Sequence, residues 1–178
     1  MTLYQRFEAP KRADQTGWLA VYVVPHCERT VSKLLGEKGY EEYCPTYVQS
    51  KRWSDRTKLL ECPLFPRYVF CRMGPRCRGP IVTTPGVVKI LGRNGVPSLV
   101  PDDEISALKS VLDSRFPVAT FPILYVGKEV VIKNGPLTGL RGQVLRVKND
   151  LALVIKVEIL QRAVAVTLPR DSVLDDNN

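Results

Sequence analysis

Few residues of this chain could do covalent or metal chemistry. There is one histidine, His26, and there are five cysteines, Cys27, Cys44, Cys62, Cys71 and Cys77. A thiol nucleophile needs a base within hydrogen-bond reach. Cys27 follows His26 in sequence, but adjacent side chains point in different directions. No two cysteines have the C-x-x-C spacing of a zinc or redox site, and a single histidine cannot complete a histidine-rich one. The residues therefore read as reduced, partly buried thiols in a reducing compartment. No metal, no cofactor and no enzymatic activity are expected.

Binding chemistry is better represented. The chain carries a net charge of +8, and residues 49–78 hold Lys51, Arg52, Arg56, Lys58, Arg67, Arg72, Arg76 and Arg78 against only Asp55 and Glu61. A net +6 thus sits in thirty residues, a field that attracts phosphate backbones. Inside that segment lies PLFPRYVF, Pro63 to Phe70, the most aromatic run of the chain. Read as a strand, it puts Leu64, Pro66, Tyr68 and Phe70 on one face and Phe65, Arg67 and Val69 on the other. Only one face can meet covering helices, so the other would leave rings exposed or give them to a partner. The cations Lys51, Arg52, Arg56 and Lys58 flank Trp53 at a hairpin tip. They suit sequence-tolerant contact with phosphates, while the indole could stack on an unpaired base or pack on the hairpin.

The elements that would position these residues follow from periodicity. WLAVYVV, Trp18–Val24, reads as a buried strand ended by Pro25. A helix follows with Cys27, Val31, Leu34 and Leu35 at helical spacing and Glu28 in its first turn. YCPTYVQSK begins a second strand, RWSDRTK turns, and KLLECP returns into PLFPRYVFCRM as a third. A further strand is expected near Val87–Leu91, and a helix at PDDEISALKSVLDS with Ile105, Leu108, Val111 and Leu112 as its stripe. From Tyr125 onward, short β-branched runs alternate with glycine-bearing turns: EVVIK, GQVLRVK, LALVIKVEI, AVAVTL and SVL. Five such strands with no helix between them indicate a small closed barrel.

The expected organisation is α+β. A tail at 1–16 precedes an antiparallel sheet packed with helices at 17–113, then a proline-containing linker at 114–125 and the barrel at 126–175. The composition, 44% hydrophobic and 25% charged over 178 residues, suits two small globular units. No apolar run approaches the roughly 18 residues of a membrane span, and the N-terminus lacks the pattern of a signal peptide. A cytoplasmic protein with no membrane partner is expected.

Three stretches resemble the NusG family of transcription elongation factors: the opening from Trp18 through Glu28 and Val31, PLFPRYVF, and the KOW-like run from Gly127 to Val144. The resemblance implies a ferredoxin-like NGN domain followed by an SH3-like KOW barrel. It implies that Tyr22, Phe65, Tyr68 and Phe70 dock on the clamp helices of RNA polymerase. The basic hairpin, with Lys51, Arg52, Trp53, Arg56 and Lys58, would then lie beside upstream or non-template DNA. Gly135, Pro136, Gly139 and Gly142 become the structural residues of the KOW motif, and the barrel would recruit ribosomal protein S10 or Rho. ILQRAVAVTLPRDSVL and PHCERTV look most like the UpxY- and RfaH-type antiterminators. A housekeeping NusG linking polymerase to ribosome or Rho is the alternative, as is a ribosome-associated RNA-binding protein of another class.

Overall fold

A computed structural model describes residues 16–53, 56–73, 78–114, 116–122, 128–132, 134–147 and 150–168. In chain order the elements are β1 (Gly17–Val23), α1 (Glu28–Glu37), β2 (Glu42–Tyr43), β3 (Thr46–Arg52), β4 (Thr57–Pro63), β5 (Tyr68–Met73), α2 (Arg78–Val82) and β6 (Val87–Ile90). Then come β7 (Gly92–Arg93), β8 (Val96–Pro97), β9 (Leu99–Val100), α3 (Asp102–Asp113), β10 (Val118–Pro122), β11 (Lys128–Val131), β12 (Arg141–Val147), β13 (Asp150–Val157) and β14 (Arg162–Leu168).

β1 is apolar at nearly every position, so both of its faces must be covered. It lies inside the first sheet, ordered β2-β5-β1-β6 with β9 also paired to β1. On one face Leu19, Val21 and Val23 form a core with Val69 and Cys71 of β5 and Val31 and Leu35 of α1. On the other, Trp18 and Ala20 join Phe70 and the α3 residues Ile105, Leu108 and Val111. The antiparallel register with β5 is Trp18↔Arg72, Ala20↔Phe70 and Tyr22↔Tyr68. Burial of each α3 stripe residue contributes about 1.5–3 kcal/mol.

Two sequence expectations change here. PLFPRYVF is not one strand: Pro63 ends β4, residues 64–67 bend, and β5 starts at Tyr68. Pro63 and Pro66 have no N–H to give a ladder, and Arg67 adopts a left-handed φ of 71°. The alternation of faces therefore fails, and Leu64, Phe65 and Phe70 all enter the core with Trp18. The second change concerns the segment read as a linker. It contains β10, paired along its whole length with β14 from Val118↔Val166 to Pro122↔Arg162. Pro117 and Pro122 do not prevent this, because β10 is an edge strand that forms a ladder on one side only.

β3 and β4 form a two-stranded ribbon of their own, from Thr46↔Pro63 to Arg52↔Thr57. The second five-stranded sheet is antiparallel, ordered β10-β14-β13-β12-β11. Among the described residues no ladder joins its edge strands, so the closed barrel expected from the sequence is not seen within them. From residue 118 onward, the described residues hold strands and one 3-10 turn, Glu158–Leu160, with no α-helix. The expected SVL strand, residues 1–15 of the tail, Arg76 and Gly127 lie outside the described residues. In the turn before β12, Gly135 and Gly139 take φ of 91° and 85°. A Cβ at Gly142 would stand 2.7 Å from the Val154 carbonyl oxygen, so a side chain there would break the β12–β13 packing.

α3 packs against β1 and also against β13, so one apolar cluster runs from Trp18 through α3 to Leu153 and Val166. Glu104 is half-buried on α3, and its Oε2 is enclosed with no hydrogen-bond partner among the described residues. Burial, with the nearby charges of Glu158 and Asp103, pushes its carboxyl up to about 7.

Candidate interaction surfaces

The first surface is built where β1 ends and β5 begins. The register brings Tyr22 beside Tyr68, with ring centroids 5.3 Å apart and planes tilted by 54°. Both residues are half-buried. The bend before β5 swings the Arg67 guanidinium over Tyr22, 4.3 Å from its centroid. On the other neighbouring strand, Lys89 of β6 pairs with Tyr22 and places its Nζ 5.8 Å from the ring. The result is a tyrosine pair bordered by two cations.

The bend is firmly held. The Arg67 backbone N–H donates to Glu28 Oε1 at 2.7 Å, and Val23 N–H donates to the Arg67 carbonyl at 2.9 Å. Glu28 is itself buried, so the first turn of α1 fixes the chain path into β5. Sequence reasoning placed Glu28 as a helix-start residue and did not link it to Arg67; Pro63 and Pro66 were the signal that the backbone must turn between them.

Phe65 and Phe70 do not belong to the exposed part. Their exposures are 1% and 0%, and their rings meet edge-to-face at 6.1 Å. Phe70 also stacks on Tyr43 at 6.3 Å. The expectation that they present rings outward is corrected: they lie in the core on which Tyr68 packs, because the bend turns Leu64 and Phe65 inward with Phe70.

The second surface is the ribbon. Trp53 N–H donates to the Arg56 carbonyl at 2.8 Å and closes its tip. Arg52, Trp53, Arg56 and Lys58 are all exposed, with Lys58 Nζ 5.9 Å from the Trp53 centroid. The register sets Lys51 opposite Lys58. Val48 and Leu59 are 64% and 73% exposed. At its base the ribbon is anchored by Tyr47, which packs on the main core, and by Glu61. The Thr46 hydroxyl and Arg29 both bond Glu61 and hold its carboxyl below the usual range.

Cys62 lies on β4 of the ribbon, and the other described thiols join neither surface. Cys71 is buried, while Cys27, Cys44 and Cys62 are partly so, and none of these four is in a disulfide among the described residues; Cys77 lies outside the described residues. Burial, with Glu28 and Glu42 nearby, pushes the Cys44 thiol up to about 11, which keeps it protonated at neutral pH. No helix among the described residues is long and apolar enough to cross a membrane.

A family model described as "Transcription termination factor nusG" matches residues 16–109, more than half of the chain. Among solved structures, one of Thermotoga maritima NusG, concerned with domain interaction, matches at 20% identity and a TM-score of 0.56. That match covers 93% of this chain and 99% of the other. The MjSpt4:Spt5 complex in conformation B also matches, at 20% identity over 90% of this chain and 97% of the other, with a TM-score of 0.31 that carries no weight. No curated protein sequence matches the chain.

Proposed function

This chain belongs to the NusG family of transcription factors, and from that premise we propose that it is an elongation and antitermination factor that docks on the clamp helices of RNA polymerase. The observation that carries this is the Tyr22–Tyr68 pair between Arg67 and Lys89, a half-buried aromatic anchor with a positive rim. Residues 17–113 act as the polymerase-binding domain, and bridging the clamp disfavours its opening, which shortens or prevents pauses. The ribbon, through Lys51, Arg52, Arg56 and Lys58 with Trp53, steadies upstream or non-template DNA by phosphate contact.

Residues 126–175 act as a KOW barrel that brings a second partner, ribosomal protein S10 or Rho, to the polymerase at high effective concentration. Gly135, Pro136, Gly139 and Gly142 serve its fold rather than its contacts. The protein belongs with the UpxY- and RfaH-type specialised antiterminators, on the strength of ILQRAVAVTLPRDSVL and PHCERTV. It works in the cytoplasm, without enzymatic activity.

An in vitro elongation assay with purified RNA polymerase tests the proposal, on templates with and without a terminator. The expected result is faster passage through pauses and more read-through. Unchanged pausing and termination at saturating protein would overturn it.

A further inference from the structure

We infer that Arg67 is the specificity-determining residue of the tyrosine surface, and that the polymerase side presents a carboxylate to its guanidinium. This rests on the docking reading above and names the chemistry of the contact.

Arg67 occupies a left-handed backbone position, φ 71°, where a side chain is crowded and glycine is at ease. Such a strained site persists only when its surroundings over-determine it. Here they do: Glu28 accepts from its N–H at 2.7 Å and Val23 donates to its carbonyl at 2.9 Å. A glycine would satisfy that same turn without strain, so the backbone conformation by itself gives no reason for an arginine. What the arginine adds lies at its far end. Its Nε reaches the Val23 carbonyl at 3.4 Å and its plane lies over Tyr22. The two Nη groups meet no acceptor among the described residues.

Lys89 stands near the same ring, and neither cation is in an ion pair among the described residues. A partner that covers Tyr22 and Tyr68 must desolvate both charges, which is costly unless it brings negative charge of its own. The guanidinium fork is suited to a carboxylate while it stays stacked on the ring. A protein carboxylate is favoured over a nucleic-acid phosphate. Tyr22 has Arg67 over its face and Tyr68 tilted against it, which leaves no open platform for a base. Tyr68 packs on the main core and is paired across the strands with Tyr22, which makes the pair a rigid anchor for a protein surface.

The test titrates the full chain against core RNA polymerase and, separately, against single-stranded DNA. Arg67→Gly and Arg67→Lys are compared with the unmodified protein, alongside thermal unfolding. Arg67→Gly should bind polymerase about tenfold more weakly, with an unchanged or raised Tm, because glycine relieves the backbone. Arg67→Lys should recover only part of the affinity, since it keeps the charge and loses the fork. Polymerase affinity of Arg67→Gly equal to the unmodified chain would overturn the inference while leaving docking intact. So would a loss confined to DNA, which would assign the guanidinium to a phosphate. If the unmodified chain fails to bind polymerase, the docking reading itself falls and takes this inference with it.

Discussion

The sheet surface and the ribbon are made of the same materials, rings and cations, and are assembled in opposite ways. Tyr68 packs on the closed core that encloses Phe65 and Phe70, and Tyr22 is paired with it across the strands. At the ribbon tip Trp53, 51% exposed, has a neighbouring lysine and joins no core cluster among the described residues. Rings immobilised before binding lose little side-chain freedom on docking, which suits a shaped protein partner. A cationic ribbon open to solvent on most of its length gains chiefly from counterion release and accepts any phosphate chain. Packing, rather than composition, separates the two.

The largest effect that could break this comparison is on stability. Phe70→Ala should cost about 3–5 kcal/mol, whereas Trp53→Ala should change stability by less than about 0.5 kcal/mol, both read from urea unfolding. Comparable losses would mean that the ribbon is as much part of the core as the sheet.

Binding sharpens the contrast at a smaller scale. Tyr68→Ala should weaken polymerase binding by about 2 kcal/mol and leave DNA affinity unchanged. The triple reversal Lys51→Glu, Arg52→Glu and Arg56→Glu should spare polymerase and flatten the salt dependence of single-strand binding by a slope of about 2. Equal losses in both assays for both variants would erase the division of labour.

The smallest effect concerns Glu104, on the helix that backs both sheets. Its folded-state carboxyl titrates at about 7, raised from 4.5. The folded chain therefore keeps a proton that the unfolded chain gives up, and stability declines as pH rises from about 4.5 through about 7. Glu104→Gln should add about 1 kcal/mol at pH 8, a figure discounted because the side chain is half-exposed, and nothing at pH 4. A pH profile identical to that of the unmodified protein would show that α3 does not hold a buried charge against β13.

Much of the first sheet was legible in the chain. WLAVYVV is apolar at every position and gave β1; the 3–4 spacing of Val31 and Leu35, and of Ile105, Leu108 and Val111, gave α1 and α3. Asn94–Gly95 forms the tight β7–β8 turn, with both residues at positive φ. The segment from 114 to 122 was misread because two prolines signal a loop, and only the partner β14, some forty residues on, makes a strand of it. The partition of rings was misread for a related reason. Period-2 alternation assigns faces only along an unbroken strand, and the bend at 64–67 resets the count.

By itself, the sequence determined the local facts: where the chain is apolar enough for strand and helix, where positive charge gathers, and which stretches resemble the NusG family. Tertiary structure decided which rings face outward, that Glu28 reaches across to hold Arg67, and that Arg67 and Lys89 meet over one tyrosine. The physical reason is range. Propensity and periodicity act over a few residues, whereas exposure and hydrogen bonding depend on partners supplied by strands and helices far away in the chain.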